Sequence, residues 1–237
     1  FAAPLYWWYI QNNSRVLSGN LVYGVRAGER KGTIALDPRI SFSQKIIKDW
    51  VVFLGCGKHS QYPSLIEVDG RAEFNPSYAL HYIAGIEKAS SAFRFKIDTY
   101  YKSYRSLLLS DTLDNYNSDG YGDAKGIEMF LKWHQSSIKP YIGYALASSR
   151  RTYEGSKKLV PFSYDIRHNF TLSALSPTIM IKKLPFDIGI KFKYMSGKPY
   201  TPLMGREVNG DTVKPIWGEV NSVRIPFYMR LNLSITT

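Results

Sequence analysis

The chain has 237 residues, of which 15% are aromatic and 44% hydrophobic, and its 31 basic and 19 acidic residues give a net charge of +12. This composition excludes a disordered chain, because the aromatic and β-branched residues can bury ample surface, and a disulfide scaffold, because Cys56 is the only cysteine. It also excludes a helical membrane protein, because no stretch approaches the roughly 18 apolar residues that a spanning helix needs.

Apolar and polar residues alternate with a period of two along most of the chain, which indicates β-strands with two different faces. No segment has a convincing stripe with the 3.6-residue helical period, so the sequence predicts an all-β fold. About eleven strands are expected. They should span residues 4–11, 15–27, 33–46, 50–58, 78–88, 92–104, 126–135, 138–147, 165–175, 186–195 and 226–235.

The predicted connections alternate between short turns and longer loops. The short turns are at residues 12–14, 47–49, 89–91, 136–137 and 182–183. The longer loops are at residues 28–32, 59–77, 105–125, 148–164 and 196–225. An antiparallel up-and-down transmembrane β-barrel has this arrangement, with tight turns on its periplasmic side. A Greek-key sandwich is not expected to alternate so regularly.

Strand length and aromatic placement favour the membrane over a soluble sandwich. Several alternating segments hold for about nine or ten residues, the length that a tilted strand needs to cross hydrocarbon. Tyrosine and tryptophan residues concentrate near the predicted strand ends, where interfacial girdles lie. We therefore expect residues 1–237 to form a single domain, a β-barrel segment in a bacterial outer membrane.

The predicted strand number bears on the completeness of the barrel. Bacterial single-chain barrels have an even number of strands. An odd number would leave two open edges, which lipid cannot satisfy by hydrogen bonding. We therefore expect this chain to be part of a larger barrel, or to be completed by strands outside it.

A series of short motifs resembles one protein family. The motifs lie at residues 37–43, 55–63, 75–82, 99–104, 122–128, 164–169, 196–202 and 230–232. In this order, over about residues 36–235, the chain resembles the C-terminal half of the barrel of a TonB-dependent outer-membrane receptor of the Bacteroidota type. The third motif lacks the glutamate that the family has there. The family's plug domain, its TonB box, the first half of its barrel and its closing strand lie outside this sequence.

The resemblance implies a fold and a function. The family barrel has 22 strands around a plugged lumen, of which eleven would be half. It imports a scarce ligand of the siderophore, vitamin, oligosaccharide or peptide class. The implied partners are outer-membrane lipid, lipopolysaccharide, the plug domain, TonB and other outer-membrane or surface proteins. No resident cofactor is implied.

Other functions are alternatives to import. The first alternative is a structural or scaffolding barrel that anchors partners and transports nothing, and the next is a passive porin. Enzymatic activity is not expected, because no Ser/His/Asp or paired-Asp constellation stands out. Nucleic-acid binding is not expected either, because the positive charge does not cluster on one element.

Charged residues on the alternating strands are candidates for a lumen face that meets a ligand or a plug. They are Arg94, Lys96, Asp98, Glu128, Lys132, Lys191, Lys193 and Arg230. Their excess positive charge favours anionic solutes. Basic residues in the loops, such as Arg150 and Lys157, are the other location for the excess, where they would contact lipopolysaccharide phosphates. The resemblance implies that Glu128 pairs with plug arginines, and a solvated carboxylate balanced by Lys132 is the alternative.

Further motif residues are expected to have structural roles at strand ends and close approaches, and one segment is a weak calcium candidate. The structural residues are Gly122, Gly126, Asp165, Arg167, His168, Gly197, Pro199, Tyr200 and Pro202. The candidates are Asp114, Asn117 and Asp119; the segment that starts at Asn115 partly matches a calcium loop, but its twelfth position is Gly126 where glutamate is required. Turn chemistry explains these residues equally well. No other metal site is expected, because the four histidines are scattered along the sequence.

Overall fold

The computed structural model of the chain describes residues 5–16, 18–30, 32–63, 75–112, 115–135, 137–153, 156–210 and 212–236. These residues form β-strands joined by turns and loops, so the all-β prediction is confirmed. The first strands are β1 (Tyr6–Val16), β2 (Gly19–Arg30), β3 (Thr33–Ile47), β4 (Trp50–Gln61), β5 (Ser77–Ala89), β6 (Phe93–Thr112), β7 (Asn115–Trp133) and β8 (Tyr141–Arg151). The remainder are β9 (Val160–Pro161), β10 (His168–Leu175), β11 (Ile179–Ile181), β12 (Leu184–Met195), β13 (Pro199–Tyr200), β14 (Leu203–Asn209), β15 (Thr212–Trp217), β16 (Val223–Arg224) and β17 (Tyr228–Thr236).

One antiparallel sheet contains all of the long strands. Within the described residues its path runs from β1 to β8 in chain order and then through β10, β12 and β17, which makes eleven strands. The short strands β9 and β11 pair with β8 and β12. This is the up-and-down topology that the alternation of connections predicts. We call the edge with the β1–β2, β3–β4, β5–β6, β7–β8 and β10–β12 connections the turn edge, and the opposite one the loop edge.

The strand registers sort the side chains into two chemically different faces. Residues that pair directly across neighbouring strands lie on the same side of a sheet. One side, the apolar face, carries rows such as Leu54–Ala84–Thr99–Ile127. The other side, the polar face, carries rows such as Arg39–Gly57–His81–Lys102. Since the apolar face is largely exposed, its leucine and isoleucine side chains do not form a central core.

The predicted turn at residues 12–14 is wrong. Strand β1 continues to Val16, and Asn12 pairs with Tyr23 on β2. The Asn12 side-chain amide also donates a hydrogen bond of 2.8 Å to the Tyr23 hydroxyl. The polar residues 12–14 favour a turn when the sequence is considered alone. Pairing with β2 satisfies their backbone hydrogen-bonding groups and keeps this segment extended.

The predicted loops at residues 28–32 and 105–125 are also wrong. Strand β2 reaches Arg30, which already pairs with Thr33 of β3. Strands β6 and β7 continue as a long hairpin with several register shifts, in place of a loop. Residue 120 in this hairpin must be glycine, because a Cβ atom there would lie 2.5 Å from the Leu107 carbonyl oxygen. Asn, Asp and Gly disfavour strands, and here the partner strand overrides that preference.

The other predicted loops contain additional regular structure. Two small sheets form within residues 196–225, where β13 pairs with β16 and β14 pairs with β15. Strand β4 extends to Gln61 and β8 to Arg151, so the loops after them are shorter than predicted. Residues 64–74 of the predicted 59–77 loop lie outside the described residues. Within the described parts of the chain, no helix is both long and apolar enough to cross a bilayer.

Thiol labelling can test which side of the sheet meets lipid. Cys56 is exposed on the apolar face and lines an apolar depression of about 530 Å³. In outer-membrane fragments, we expect Cys56 to react with a membrane-soluble maleimide and to resist a charged one, because a charged reagent does not enter hydrocarbon.

The matched control is Ser137→Cys combined with Cys56→Ser, which moves the thiol to an exposed turn. This variant should react with both reagents, as followed by mass spectrometry. Rapid reaction of Cys56 with the charged reagent would contradict the assignment of the apolar face to lipid.

Candidate functional site

The eight charged residues predicted for the lumen all lie on the polar face. Three are on β6, two on β7, two on β12 and one on β17. Several face a like charge directly across the ladder: Asp98 opposes Glu128, Arg94 opposes Lys132, and Lys193 opposes Arg230. Like charges in direct opposition are destabilising unless something compensates them. This face therefore favours ligands or protein segments that bring the opposite charge, and that role stays a prediction.

Some compensation comes from within the face itself. Lys96 and Asp98 form an ion pair at 2.7 Å, and Arg94 pairs with Glu87 at 2.8 Å. Within the described residues, Glu128 has no ion-pair partner. The alternative in which Lys132 balances its charge is therefore not supported by a direct contact between the two side chains. Charge compensation on this face is therefore incomplete around Glu128.

A small cavity lies beside these acidic groups. Lys96, Asp98 and Glu128 line it together with Asn169 and Thr171, and its volume is about 210 Å³. The unpartnered Asp98 Oδ1 atom is buried on the other side, against Gly85 of β5, so it does not face this cavity. The cavity still has two carboxylates and one ammonium group in its lining, and this net negative charge makes it a natural site for a cationic donor.

A histidine pair on the polar face was missed by sequence reasoning. The rings of His59 and His81, 22 residues apart in the sequence, lie 4.3 Å apart between their centroids. The register explains it: Gly57 pairs with His81, and His59 is the next residue of β4 on the same face. Only the register could have revealed the pair, because residue 59 was predicted to begin a loop.

The histidine pair forms one side of a larger cavity near the loop edge. The cavity has a volume of about 440 Å³ and is also lined by Tyr104 and Arg151. The Arg151 guanidinium lies 3.8 Å from the Phe162 ring centroid, and its Nε atom has no partner among the described residues. Imidazole, phenol and guanidinium groups together suit an anionic or hydrogen-bonding solute.

Two hydrogen-bonded clusters connect neighbouring strands at the loop edge of the sheet. In the first, Asp37 is completely buried and accepts hydrogen bonds from Arg26 at 2.6 Å and from the Ser60 backbone N–H at 3.0 Å. The single Tyr62 O–H proton is shared between two backbone carbonyl oxygens, on β2 and β3, at 2.8 and 2.9 Å, and burial raises the pKa of this phenol above its ordinary value. The ends of β2, β3 and β4 are therefore tied together.

The second cluster joins two of the sequence motifs. Arg224 donates to both the carboxylate and the backbone carbonyl of Asp165, and to the Gly197 carbonyl oxygen at 2.9 Å. Asp165 is 3% exposed and also accepts a hydrogen bond of 2.7 Å from the Ser149 N–H. A Cβ atom on Gly197 would lie 1.6 Å from the Ile225 carbonyl oxygen, so only glycine fits. Sequence reasoning missed Arg224, the residue that connects these motifs.

The remaining motif residues lie at strand ends or close approaches. His168 begins β10, and its Nδ1 atom is 2.9 Å from the Tyr144 hydroxyl. The backbone carbonyl of Arg167 accepts from the Ala147 N–H, and that of Pro202 accepts from the Gly218 N–H.

Close approaches account for the other four positions. Pro199 and Tyr200 form β13 against β16. Cβ atoms on Gly122 and Gly126 would lie within 3 Å of the Arg150 and Leu146 carbonyl oxygens. The structural roles of the motif residues remain predictions that stability measurements can test.

The weak calcium candidate is not brought together as a loop. Asn117 and Asp119 lie within β7, where the Asn117 side chain accepts a hydrogen bond from the Asp119 N–H at 3.1 Å, and Asp114 lies outside the described residues. Over the parts of the chain that are described, no three His, Cys, Asp or Glu residues converge to hold a metal. Calcium binding stays a prediction, without the loop conformation that motivated it.

No family model matches the chain, and no curated protein matches it. Solved structures do. The siderophore receptor PirA from Acinetobacter baumannii matches with a TM-score of 0.74 and 10% identity, covering 98% of this chain and 39% of that one. The FrpB iron transporter from Neisseria meningitidis (F3-3 variant) matches at 0.72 and 14%, covering 96% and 37%. The ferric yersiniabactin uptake receptor FyuA from Yersinia pestis matches at 0.71 and 16%, covering 98% and 37%.

These comparisons establish the fold. The matched proteins are TonB-dependent outer-membrane receptors, so the barrel fold implied by the motifs is confirmed. The narrower Bacteroidota type gains no support from structures of these organisms. The chain spans only 37–39% of the length of the three matched structures.

The Asp165–Arg224 cluster can be tested by an isosteric change. In the protein expressed from its complete gene, Asp165→Asn should lower the free energy of unfolding by about 3 kcal/mol, because it leaves a largely buried guanidinium without its carboxylate. Urea unfolding in liposomes, followed by tryptophan fluorescence, measures the change.

The matched control is Glu219→Gln, an exposed acidic residue of the same loop region, which should change the stability by less than about 0.5 kcal/mol. Equal stability of Asp165→Asn and the unaltered protein would show that the cluster has no structural role.

Proposed function

We propose that this chain forms part of the barrel wall of a TonB-dependent outer-membrane receptor that imports a scarce ligand. The observation that carries the proposal is the separation of one sheet into a continuous apolar face and a charged polar face. Such a sheet is stable in lipid when the apolar face meets acyl chains and the polar face borders a wet interior. The proposal includes the finer Bacteroidota assignment, which rests on the sequence motifs alone.

The likeness to known proteins supports the direction of the proposal. The matched structures are named as an iron transporter, a siderophore receptor and a ferric yersiniabactin uptake receptor. We propose a ligand of the siderophore, vitamin, oligosaccharide or peptide class. The cavity beside the histidine pair supports capture near the loop edge, and the half-buried Arg151 in its lining favours anionic members of these classes.

The acidic cavity on the polar face supports a plug in the lumen. Asp98 and Glu128 lie opposite each other on β6 and β7, both line the cavity, and Glu128 has no ion-pair partner among the described residues. An arginine fits both carboxylates, because its guanidinium donates along several directions at once. We propose that a plug domain supplies this cation, and that TonB acts on the plug to open the path.

The two outer strands support a larger barrel. Strands β1 and β17 are at the two ends of the sheet path, and their residues are almost all exposed. We propose that further strands of the same receptor pair with both edges. At the loop edge, lysine and arginine side chains are proposed to contact lipopolysaccharide phosphates.

Removing the negative charge of the acidic cavity tests whether a plug domain contacts it. Glu128→Gln combined with Asp98→Asn removes both carboxylates without changing their shape. In the protein expressed from its complete gene, we expect the plug to unfold at a urea concentration lower by about 1 M, because a buried charged contact is lost. Pulse proteolysis along a urea series measures this.

The matched control for the plug experiment is Asp187→Asn, which removes an acidic side chain near the turn edge that bonds Thr178. Its plug transition should not move. An unchanged transition in the double variant would contradict a plug contact at this cavity.

Uptake measurements test import itself. Cells that express the complete gene should take up at least one labelled ferric siderophore, cobalamin, oligosaccharide or peptide, and uptake should vanish in a strain without TonB. We expect His59→Ala with His81→Ala to lower that uptake about tenfold, the effect of one or two lost polar contacts.

The control for uptake is His134→Ala, which changes an exposed histidine at the turn edge. Absence of TonB-dependent uptake across the panel would contradict the import proposal. If deletion of the gene then releases partner proteins from the outer membrane, the scaffolding alternative holds.

A further inference from the structure

Basic residues concentrate along the turn edge of the sheet. They are Arg15, Lys45, Lys48, Lys88, Lys139, Lys182 and Lys183. Among the described residues of the five connections themselves, the only acidic one is Asp49. The nearest acidic strand residues are already engaged, since Glu87 pairs with Arg94 and Asp187 accepts from Thr178. This edge therefore presents a band of positive charge without a matching set of protein carboxylates.

The turn between β11 and β12 uses lysines where the backbone disfavours them. Lys182 and Lys183 have φ angles of +50° and +70°, and they connect the paired residues Ile181 and Leu184. A two-residue hairpin turn with positive φ at both positions strongly favours Asn-Gly. Two lysines in the left-handed region reduce stability relative to that choice. Backbone preference therefore does not explain them, whereas a need for charge at this point does.

The hairpin behind these lysines continues the apolar face to its tip. Ile179 pairs with Phe186 and Ile181 pairs with Leu184, on the same side as Ile188 and Ile190 of β12. Ile181 and Leu184 are 52% and 57% exposed. Apolar residues that reach the last pair before the turn place the lysines at the end of the hydrocarbon layer. Lysine stems lie along apolar surface there and extend their ammonium groups to the headgroups.

Lys88 repeats this placement two connections away. It lies on the apolar face, paired with Trp50 and Phe95. Its Nζ atom is 5.4 Å from the Trp50 ring centroid and 5.1 Å from that of Phe93, whose ring also contacts Trp133. Aromatic clusters of this kind mark the membrane interface. Within the described residues, Lys88 forms no ion pair with a carboxylate, so its charge is available to an external anion.

We propose that the turn edge binds the phosphate groups of anionic phospholipids in the adjacent leaflet, with Lys182, Lys183 and Lys88 as the principal contacts. The inference rests on the membrane placement in the proposed function. Charge complementarity selects this occupant: a phosphodiester headgroup presents negative oxygens at the depth where these ammonium groups emerge. The zwitterionic headgroups of the same leaflet carry no net charge and should bind less well.

The lysine turn offers a variant that separates binding from folding. Lys182→Asn combined with Lys183→Gly removes both charges and installs the residues that this turn favours, so the fold should be kept or stabilised. The protein is expressed from its complete gene and purified in detergent. Native mass spectrometry then measures the retained phosphatidylglycerol and phosphatidylcholine after incubation with an equal mixture.

The unaltered protein should retain phosphatidylglycerol preferentially. The preference should fall about fivefold for each lysine removed, in the double variant and again with Lys88→Gln, since each such charge contributes a similar factor near an anionic surface. The matched control is Lys214→Gln, an exposed lysine of β15 whose charge is balanced by Glu207 directly opposite, and it should keep the full preference.

The outcomes separate this inference from the proposed function. An undiminished preference in the lysine-turn variants, or equal retention of both lipids by the unaltered protein, overturns it. Preferential retention of lipopolysaccharide through the same three lysines, in a second incubation, also overturns the phospholipid assignment. If Cys56 is shielded from the charged maleimide in either case, the membrane placement stands and only the headgroup inference fails.

Discussion

The structure depends on one constraint: in hydrocarbon, every backbone N–H and C=O group needs a partner within the protein. A sheet in which each long strand pairs with its chain neighbour meets that constraint with short connections. Once the ladders are set, the side chains are free to differ between the two sides. In the proposed membrane placement the apolar side needs only contact with acyl chains, and the polar side can collect charges that a soluble core would exclude.

Charge on the polar face is arranged for external partners more than for internal balance. Like charges face each other on β6 and β7, and again on β12 and β17. The two ion pairs whose carboxylates are buried, Arg26–Asp37 and Arg224–Asp165, lie instead at the loop edge. Buried ion pairs are therefore concentrated where the loops begin, while the sheet between the edges keeps the unbalanced charge on which the proposed ligand and plug contacts depend.

The sequence predicted that the strands exist and on which face of the sheet each side chain lies, because the two-residue alternation does not depend on which strands pair with each other. Boundaries failed where polar residues continue a strand, as at Asn12 and at Asn117, since a partner strand can satisfy their backbone. The clusters were not predictable for a different reason. His59 with His81, and Asp165 with Arg224, come together only through the register and the loop paths, which no local pattern specifies.

The β6–β7 hairpin has a consequence for what can reach the wall. Strand β5 last pairs with β6 at Arg105 and β8 last pairs with β7 at Gly122, yet the hairpin continues to Thr112 and Asn115. Seven residues of β6 beyond its neighbour, at a rise of roughly 3.3 Å each, give a post about 15–20 Å tall once strand tilt is allowed. A folded macromolecule that approaches this sector of the proposed barrel meets the hairpin before it meets the wall, whereas a small solute passes beside it.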